Sequence, residues 1–250
     1  MNRSKNNFSN QLKKSIAACF LFLAAAPSMA MEVDLAARND KDMQQDGARK
    51  PAEIINFVGV KAGDNVLDLL AGGGYYTELL SRVVGEKGEV VLQVPEAYLQ
   101  YVGKEIKERL AGNRLKNVTY LLSESSDLKL AENKFDSVFL VLGYHDMFFK
   151  DKDWDFKADA VMPQVLKSLK IGGKLLIIDH GAEQGRGIQD TKKLHRIESG
   201  FVIADLEKRG FRLVKQSDTL SNKTDDHSQL VFKPELQRKT DRFVMLFEKK

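Results

Sequence analysis

The hydrophobic positions of this chain form short apolar runs that alternate with segments of helical spacing. The apolar runs are rich in Val, Ile and Leu with little period-two alternation, which is typical of strands buried on both faces of a parallel sheet. The runs predict strands at Asn65–Leu70, Glu89–Val94, Val118–Leu122, Ser137–Leu142, Lys174–Ile178, Phe211–Val214 and Arg242–Phe247. Helical spacing occurs at about 51–59, 75–84, 96–111, 160–169 and 199–209, and residues 31–50 predict a surface helix or an ordered arm.

Strands that alternate with helices predict an open α/β sheet with helices on both faces. The last two predicted strands follow each other without a helix between them, so we expect the final strand to pair antiparallel. Ligands of such sheets bind at the carboxyl ends of the strands, near the point where the strand order reverses. Functional residues are therefore expected in the loops that follow the strands.

Residues 1–30 have the pattern of an export signal. A basic stretch leads into the apolar run Ile16–Ala26, and the small residues Ser28 and Ala30 fit cleavage after Ala30. A run of this length is shorter than the roughly 20 residues that span a bilayer. We therefore expect a signal peptide over 1–30, rather than a retained anchor helix, and a single domain over 31–250. The protein would be exported, to the periplasm or out of the cell, without stable membrane insertion after cleavage.

The distribution of charge argues against a nucleic-acid partner. The net charge is +4, from 39 basic and 35 acidic residues. Four of the basic residues lie in the first thirty, which hold no acidic residue: Arg3, Lys5, Lys13 and Lys14. The rest of the chain is therefore neutral overall, and no binding to DNA or RNA is expected. The single cysteine, Cys19, lies in the same segment, so a cleaved chain would have no disulfide and no cysteine metal ligand.

The most informative stretch is Val66–Thr77, VLDLLAGGGYYT. A buried strand carrying Asp68 passes through Gly72–Gly74 into a helix, and glycines allow a sharp turn and close approach of a ligand to the backbone. A mononucleotide-binding loop would need a lysine after the glycines, and a dinucleotide-binding loop would need glycine where Thr77 stands. The S-adenosylmethionine loop of class I methyltransferases is matched at Asp68, Gly72 and Gly74, with Leu70 at its first glycine. A tight turn that binds no ligand is the remaining alternative.

Further motifs follow in the order of that class: Val58–Asp64, Phe135–Val141 and Leu169–Ile178. The chain resembles a group of exported, predicted class I S-adenosylmethionine-dependent methyltransferases. The segments that carry the resemblance are Arg49–Pro51, Gly72–Thr77, Tyr144–Asp146, Asp179–His180, His195–Ile197, Gly210–Phe211 and Lys239–Phe243. It implies a Rossmann-like fold with a seven-stranded, mostly parallel sheet of order 3-2-1-4-5-7-6, strand 7 antiparallel. It also implies S-adenosyl-L-methionine as the cofactor, and it identifies no acceptor.

The resemblance further implies which residues hold the cofactor. The loop at Gly72, Gly73 and Gly74 would pass under its methionine and ribose portions, and Asp68 would hold its ammonium group. An acid usually ends the second strand of this fold and binds the ribose hydroxyls, but Val94 stands there. Glu96 is expected in its place, with Gln93 as the other polar candidate. Glu124 is expected near the adenine, unless it is only a solvated loop charge.

Three of the four histidines lie in loops that should face one cleft. His145–Asp146 follows the fourth strand, Asp179–His180 follows the fifth, and His195 precedes the last helix. Histidine titrates near neutral pH and can take a proton from an attacking hydroxyl or amine. We expect His145 to be this base, Asp146 or Asp179 to hold its tautomer, His180 to belong to the same site, and Tyr144 to line the acceptor pocket. Structural roles for these histidines are the alternative.

The same loops permit other interpretations. Metal-dependent O-methyltransferases of this fold place carboxylates after the fourth and fifth strands, where Asp146 and Asp179 stand, and such ligands suit magnesium. The match is loose, and no metal is predicted. Arg242 could bind an acidic group or be an exposed strand charge, and the aromatic stretch 147–156 could be a lid or pack on the core.

The leading hypothesis is an S-adenosylmethionine-dependent methyltransferase that acts on a small-molecule acceptor. A non-catalytic ligand-binding protein that retains the fold is the second hypothesis, because Leu70 and Val94 depart from the class pattern. A nicotinamide-dependent oxidoreductase is the third, and Thr77 disfavours it. The sequence does not predict an oligomeric state.

Overall fold

The structure is a computed structural model that describes Met1 and residues 32–250. The chain separates into two units, Met1–Ala30 and Met31–Lys250, and every helix and strand named below belongs to the second. Apart from Met1, the predicted signal peptide over 1–30 lies outside the described residues. Within the described part, no helix has the length and apolar character needed to cross a membrane.

Seven strands form one sheet in the order β3-β2-β1-β4-β5-β7-β6. They are β1 Asn65–Leu69, β2 Glu89–Val94, β3 Val118–Leu122, β4 Phe135–Val141, β5 Leu169–His180, β6 Phe211–Ser217 and β7 Arg242–Lys249. The first five strands pair in parallel, whereas β7 is antiparallel to both β5 and β6. The predicted strand order and the antiparallel final strand are therefore confirmed.

Helices cover both faces of this sheet. They are α1 Asp40–Arg49, α2 Pro51–Val58, α3 Tyr75–Val84, α4 Leu99–Leu110, α5 Ala158–Ser168, α6 Thr191–Leu194 and α7 Ser199–Lys208. Short 3-10 turns occupy Glu96–Tyr98, Ala111–Asn113, His145–Phe148 and Pro234–Leu236. The buried side chains of the central strands point to the two faces of the sheet and contribute to two large apolar clusters, one on each face. Several features differ from the predictions. β4 begins at Phe135, β5 begins at Leu169, ahead of its glycine turn, β6 extends to Ser217, and the single-turn helix α6 was not predicted.

The N-terminal helices have clear local causes. The side chain of Asn39 accepts a hydrogen bond from the Asp42 N–H and so caps α1, which places the helix within the predicted 31–50 segment. Pro51 occupies the first turn of α2, where a missing N–H costs nothing. Gly59 ends that helix in the left-handed region, with φ +80°. The two helices thus lead the chain directly to the start of β1.

The sheet brings three strand ends together. Asp68 in β1 pairs with Phe139 in β4, and β4 in turn pairs with β5 through Val141 and Ile178. The strand order reverses between β1 and β4, which is the place where doubly wound sheets bind ligands. A single parallel bridge from Gly181 to Ile197 then draws the segment before α7 to the end of β5. The loops after β1, β4 and β5 and the segment before α7 consequently meet at one edge.

Candidate functional site

Two adjacent cavities open at this edge of the sheet. The first, here called the cofactor cavity, has a volume of about 330 Å³ and lies at the end of β1. Its lining includes Asp68, Leu70, Gly72, Gly73, Tyr76, Glu105, Arg109 and, from α1, Arg49. The second, here called the histidine cavity, has a volume of about 860 Å³ and lies at the ends of β4 and β5. Its lining includes Tyr98, His145, Asp146, Phe149, Trp154, His180, His195 and Phe232.

The glycine loop of the cofactor cavity uses backbone conformations that side chains disfavour. Gly72 has φ +57° and faces open space, so a ligand can approach its main chain. Gly74 has φ +80° at the start of α3, and a Cβ there would lie 2.9 Å from both Arg109 and Leu92. The Gly73 carbonyl accepts a hydrogen bond from the buried Arg109 side chain at 2.5 Å. Arg109 on α4, which the sequence did not single out, thus fixes the loop from behind.

Leu70 occupies the position of the missing first glycine and keeps a glycine-like backbone. Its φ is +52°, in the left-handed region, although the side chain is buried. Gln93 stabilises the turn, because its side-chain oxygen accepts from the Leu70 N–H at 3.1 Å and its amide donates to the Ser123 carbonyl at 2.9 Å. The loop therefore retains its shape without the glycine, and Gln93 is an internal tie rather than an open ligand.

Asp68 is a buried carboxylate at the floor of the same cavity. The Thr77 hydroxyl donates to it at 2.6 Å, which gives the residue at this helix position a polar function that glycine could not supply. Burial raises the pKa of Asp68 to about 6, although the Thr77 hydrogen bonds and the charges of Arg109 and Arg49 act in the opposite direction. A cationic ligand would therefore find a poorly solvated partner at this position.

Helix α1 closes the outer side of the cofactor cavity. Asp42 forms an ion pair with Arg109 at 2.8 Å, and Lys41 forms another with Glu105. Arg49, at the last turn of the helix, lies over the Tyr75 ring with its guanidinium 4.6 Å from the ring centroid. The sequence had drawn attention to Arg49 only as part of a segment that resembles the family.

The residues of this cavity fit the amino-acid end of S-adenosylmethionine. Such a group carries one ammonium and one carboxylate, and the cavity offers Asp68 and Arg49, of opposite charge, on one lining. The main chain at Gly72 stands open beside them. Glu105 is a further acid of the lining, contributed by α4 after β2.

Two residues that were expected to bind the cofactor lie apart from this lining. Glu96 and Glu124 are both exposed, and the Glu124 carboxylate accepts a hydrogen bond from the Glu96 N–H at 2.9 Å. The contact joins the loops after β2 and β3. Their predicted contacts with the ribose and the adenine remain predictions.

The histidine cavity contains three metal-capable side chains in mutual contact, here called the histidine cluster: His145, Asp146 and His195. The Nε2 atom of His145 lies 3.1 Å from Nδ1 of His195 and 3.1 Å from Oδ1 of Asp146. The remaining pair, His195 Nδ1 and Asp146 Oδ1, is 3.5 Å apart. Three donor atoms from the loops after β4 and before α7 therefore converge on one point.

Asp179 lies behind this cluster at the end of β5. It is wholly buried, and its Oδ1 atom lies 2.7 Å from Nδ1 of His145. Its other oxygen accepts from the His145 N–H at 2.9 Å, so one carboxylate fixes both the ring and the backbone of His145. Of the two acids weighed for holding the His145 tautomer, Asp179 is the one on Nδ1.

The charges of these acids outweigh the effect of burial on His145. Burial alone would lower its pKa, but Asp179 and Asp146 raise it to about 10. Burial would raise the pKa of Asp146, yet its contacts with His145 and His195 hold that pKa below its usual range. At neutral pH His145 is therefore positively charged, next to the carboxyl groups of Asp146 and Asp179.

His180 and Tyr144 have different surroundings. His180 lines the cavity, with its ring centroid 6.2 Å from that of His145 and its Nδ1 atom 2.8 Å from the Thr240 hydroxyl. Burial and the neighbouring positive charges hold the pKa of His180 well below its ordinary value. Tyr144 was expected to line the acceptor pocket. It lies instead wholly inside the core, where its hydroxyl donates to Asp205, because the 3-10 turn after β4 directs the ring away from the cavity.

His195 is positioned by a buried ion pair that the sequence did not reveal. Its neighbour Arg196 is fully buried and bonds Asp225 through two contacts of 2.9 Å each. Arg196 also donates to the Gly181 carbonyl at 3.0 Å, next to the end of β5. His195 itself has φ +53°, and its ring contacts that of the exposed Phe232 in a tilted arrangement, with ring centroids 4.7 Å apart. The pair therefore anchors the segment that delivers His195 to the cluster.

Tyr98 and Leu142 line both cavities and form their shared wall. The Tyr98 hydroxyl donates to Oδ2 of Asp146 at 3.0 Å, and its ring stacks on Trp154 with centroids 5.2 Å apart. The aromatic stretch 147–156 is thus divided: Phe149 and Trp154 line the cavity, whereas Phe156 packs in the core. These two side chains are the residues that the two linings share, so they mark the junction at which groups bound in the two cavities would come together.

Arg242, at the start of β7, lies away from both linings. It is largely buried, and its Nη2 donates to the Ala48 carbonyl of α1 at 2.9 Å. The residue therefore ties the N-terminal helices to the sheet, and it is not an exposed strand charge.

Comparison with known proteins identifies similar sequences. The model of the ubiE/COQ5 methyltransferase family matches residues 42–195. A protein of Haemophilus ducreyi, named ubiquinone/menaquinone biosynthesis C-methyltransferase, is 28% identical over 177 residues. The match covers 69% of this chain and 64% of that protein, so the chain spans just under two thirds of this relative.

Solved structures share the fold. A crystal structure of a SAM-dependent methyltransferase from Aquifex aeolicus superposes with a TM-score of 0.59 at 23% identity, covering 84% of this chain and 97% of that one. A phosphoethanolamine N-methyltransferase from Haemonchus contortus, in complex with S-adenosyl-L-methionine, gives a TM-score of 0.53 at 20% identity. That match covers 68% of this chain and 38% of the other. At these identities the likeness establishes the class I methyltransferase fold, as predicted.

Proposed function

The chain belongs to the ubiE/COQ5 methyltransferase family, and from that premise we propose that it transfers a methyl group from S-adenosyl-L-methionine to an acceptor in the histidine cavity. The observation that carries the proposal is the pair of adjoining cavities with a shared wall at Tyr98 and Leu142. The cofactor cavity offers a carboxylate and a guanidinium, which suit a zwitterionic amino acid, and the histidine cavity contains side chains that can donate or accept a proton. Fold alone would not support this function, since one fold serves many chemistries.

The cofactor supplies a methyl group on a sulfonium, which leaves as a neutral thioether. Asp68 would hold the ammonium group, Arg49 the carboxylate, and the main chain at Gly72 would border the methionine portion. Glu105, an acid of the cavity lining, would bind the ribose hydroxyls. Such contacts would fix the orientation of the sulfonium, and orientation supplies much of the rate of such a transfer.

The acceptor is a small molecule with a ring and an ionisable group. Tyr98, Trp154, Phe149 and Phe232 supply aromatic surface around the histidine cluster, which suits a planar ring. The names of the relatives place them in ubiquinone and menaquinone biosynthesis, which is also the chemistry of ring compounds. Because the pKa of His145 is raised to about 10, its neutral form is the minor one at neutral pH. That neutral form takes a proton from the acceptor and so makes it nucleophilic.

Calorimetric titration of the full chain with S-adenosylmethionine and with S-adenosylhomocysteine tests the cofactor assignment. Heat with both ligands and none with NADH is expected. If neither nucleoside binds, the methyltransferase proposal is refuted. An assay of S-adenosylhomocysteine formation with a panel of phenolic and quinol-type acceptors then separates an enzyme from a binding protein, since the latter would bind the cofactor without turnover.

We also propose export, which rests on the sequence pattern of residues 1–30. Fractionation of cells that produce the full chain should recover a protein whose N-terminus is Met31 outside the cytoplasm. An uncleaved chain in the cytoplasmic fraction would contradict this proposal and leave the enzymatic one unaffected.

A further inference from the structure

We propose that His145, Asp146 and His195 bind a divalent transition-metal ion of the zinc class, which holds the acceptor in the histidine cavity. The ion's role rests on the proposed function, whereas its binding does not. The sequence had suggested only a loose match to a magnesium site on Asp146 and Asp179, and no metal was predicted from it.

The spacing of the three donor atoms carries the proposal. Ligands about 2.1 Å from one ion, at angles between octahedral and tetrahedral, stand about 3.0–3.4 Å from one another. The three separations in the cluster are 3.1, 3.1 and 3.5 Å. Two imidazole nitrogens and one carboxylate oxygen therefore surround a point at which an ion would bind without rearrangement of the loops.

The hydrogen bonds that hold His145 and Asp146 in place are of the kind that metal-binding side chains usually make. A ligating histidine usually directs its second nitrogen to a carboxylate, which fixes the ring and its tautomer. Asp179 holds Nδ1 of His145 at 2.7 Å and thereby turns Nε2 toward the cluster. The Tyr98 hydroxyl occupies Oδ2 of Asp146 and leaves Oδ1 for the ion. Asp179 is thus an orienting residue behind the site rather than a ligand.

The donor set selects the class of metal. Imidazole suits zinc, iron, nickel and copper, whereas magnesium prefers oxygen ligands and retains its waters. Three protein ligands also leave a coordination position open, which is the arrangement of catalytic zinc sites. All three donors line the histidine cavity, so that open position faces the acceptor space.

The chemistry of such an ion defines the acceptor more narrowly. With the ion bound, Nε2 of His145 would be a ligand and no longer a base. An acceptor hydroxyl on the ion would lose its proton to water, because a divalent cation lowers its pKa. The electron pair of that oxygen would attack the methyl carbon; if a conjugated ring carbon attacked instead, that carbon would then lose its hydrogen to water as a proton. The carbon–sulfur bond would break, and its electron pair would stay on sulfur in S-adenosylhomocysteine. We therefore infer a phenol, catechol or enol as the acceptor class.

Metal binding can be measured without any acceptor. The full chain, purified without a histidine tag and stripped with a chelator, would be titrated with Co²⁺ and with Zn²⁺. One equivalent of each is expected, with visible cobalt absorption bands and displacement of Co²⁺ by Zn²⁺. Magnesium in excess should not displace the cobalt.

Variants locate the ion. His195→Ala and Asp146→Ala should each weaken cobalt binding by at least about a hundredfold, and Asp179→Asn by about 10–100-fold. His227→Ala is the matched control, because His227 also pairs with an aspartate, Asp241, at 3.0 Å but belongs to no group of three donors in the described residues. Its metal affinity should equal that of the parent chain.

Titration with S-adenosylhomocysteine on the same preparations reports folding and keeps the two proposals apart. A chain that binds the nucleoside but takes up no cobalt or zinc overturns the metal site and leaves the methyltransferase intact. Uptake that persists in His195→Ala and Asp146→Ala also overturns it. Uptake that depends on these residues in a chain that binds no nucleoside supports the metal site and refutes the proposed function.

Discussion

The two cavities are built in opposite ways. The cofactor cavity grows from one continuous stretch, Val66–Thr77, whose backbone supplies the surface and whose strained turns are held by Gln93 and Arg109. The histidine cavity has no such stretch, since its donors come from loops up to 50 residues apart and are held by buried charges. The first is a local backbone device, and the second is an assembly of distant side chains. Mutations should therefore separate binding of the methyl donor from activation of the acceptor.

The largest separation is expected from His145→Ala. Loss of the central side chain of the cluster should lower kcat by about 10²–10⁴-fold, the usual contribution of proton transfer at an active site. The dissociation constant for S-adenosylhomocysteine should change less than about twofold, because His145 does not line the cofactor cavity. Single-turnover kinetics together with calorimetry would measure both. Equal turnover in the variant and the parent would remove His145 from the mechanism.

A second test concerns the support of the histidine cavity. Arg196→Ala should lower the free energy of unfolding by about 3–5 kcal/mol, because it leaves the buried Asp225 carboxylate without its counter-charge, held only by the backbone N–H groups of His227 and Asp241. Urea denaturation of the parent chain and the variant would measure the loss. Adding Asp225→Ala should cost much less than a second loss of that size, since the pair acts as one unit. Additive losses would mean that the two side chains act separately.

The features of the cofactor cavity were easier to predict from the sequence than the contacts between distant side chains. The antiparallel last strand and the position of the glycine loop follow from patterns within short windows, as do Asp68 and Gly72, whereas the strand order was implied by the resemblance to class I methyltransferases. Arg109 and Arg196 could not be predicted, because a lone arginine in a helix or a loop gives no sign of the partner it will meet, which is Gly73 for Arg109, 36 residues away, and Asp225 for Arg196, 29 residues away. His145 and Asp179 were predicted as neighbours because parallel strands carry their ends to one edge. The inward turn of Tyr144 depends on packing against α7, which no local pattern encodes.

The carboxylate of the cofactor cavity gives a smaller effect. Asp68→Asn should raise the dissociation constant for S-adenosylmethionine by about 10–100-fold, the value of one charged hydrogen bond. In the parent chain binding should also depend on pH, since burial raises the pKa of Asp68 to about 6. Below that pH the carboxyl is neutral and cannot pair with the ammonium group, so affinity should fall about tenfold per pH unit.

The Asp68→Asn variant is the control for the pH dependence of S-adenosylmethionine binding. Tyr76 also faces Asp68, but burial raises the pKa of Tyr76 to about 12, far above this range. Calorimetry of Asp68→Asn between pH 5 and pH 7, where the ligand's ammonium group keeps its charge, should therefore give a flat profile. A slope that survives in the variant would assign the titration to another group.

The smallest expected effect tests whether the glycine loop is a backbone device. Leu70→Ala and Leu70→Gly remove the same buried contacts, and they differ in the Cβ atom at a φ of +52°. Alanine usually stabilises a chain relative to glycine, but in the left-handed region a Cβ costs about 1–2 kcal/mol. The glycine variant should therefore be more stable than the alanine variant by about 1 kcal/mol, as measured by urea denaturation. It should also bind S-adenosylhomocysteine at least as tightly, because the turn after β1 then adopts its shape without strain. The usual order, with alanine the more stable, would mean that the turn relaxes away from this conformation.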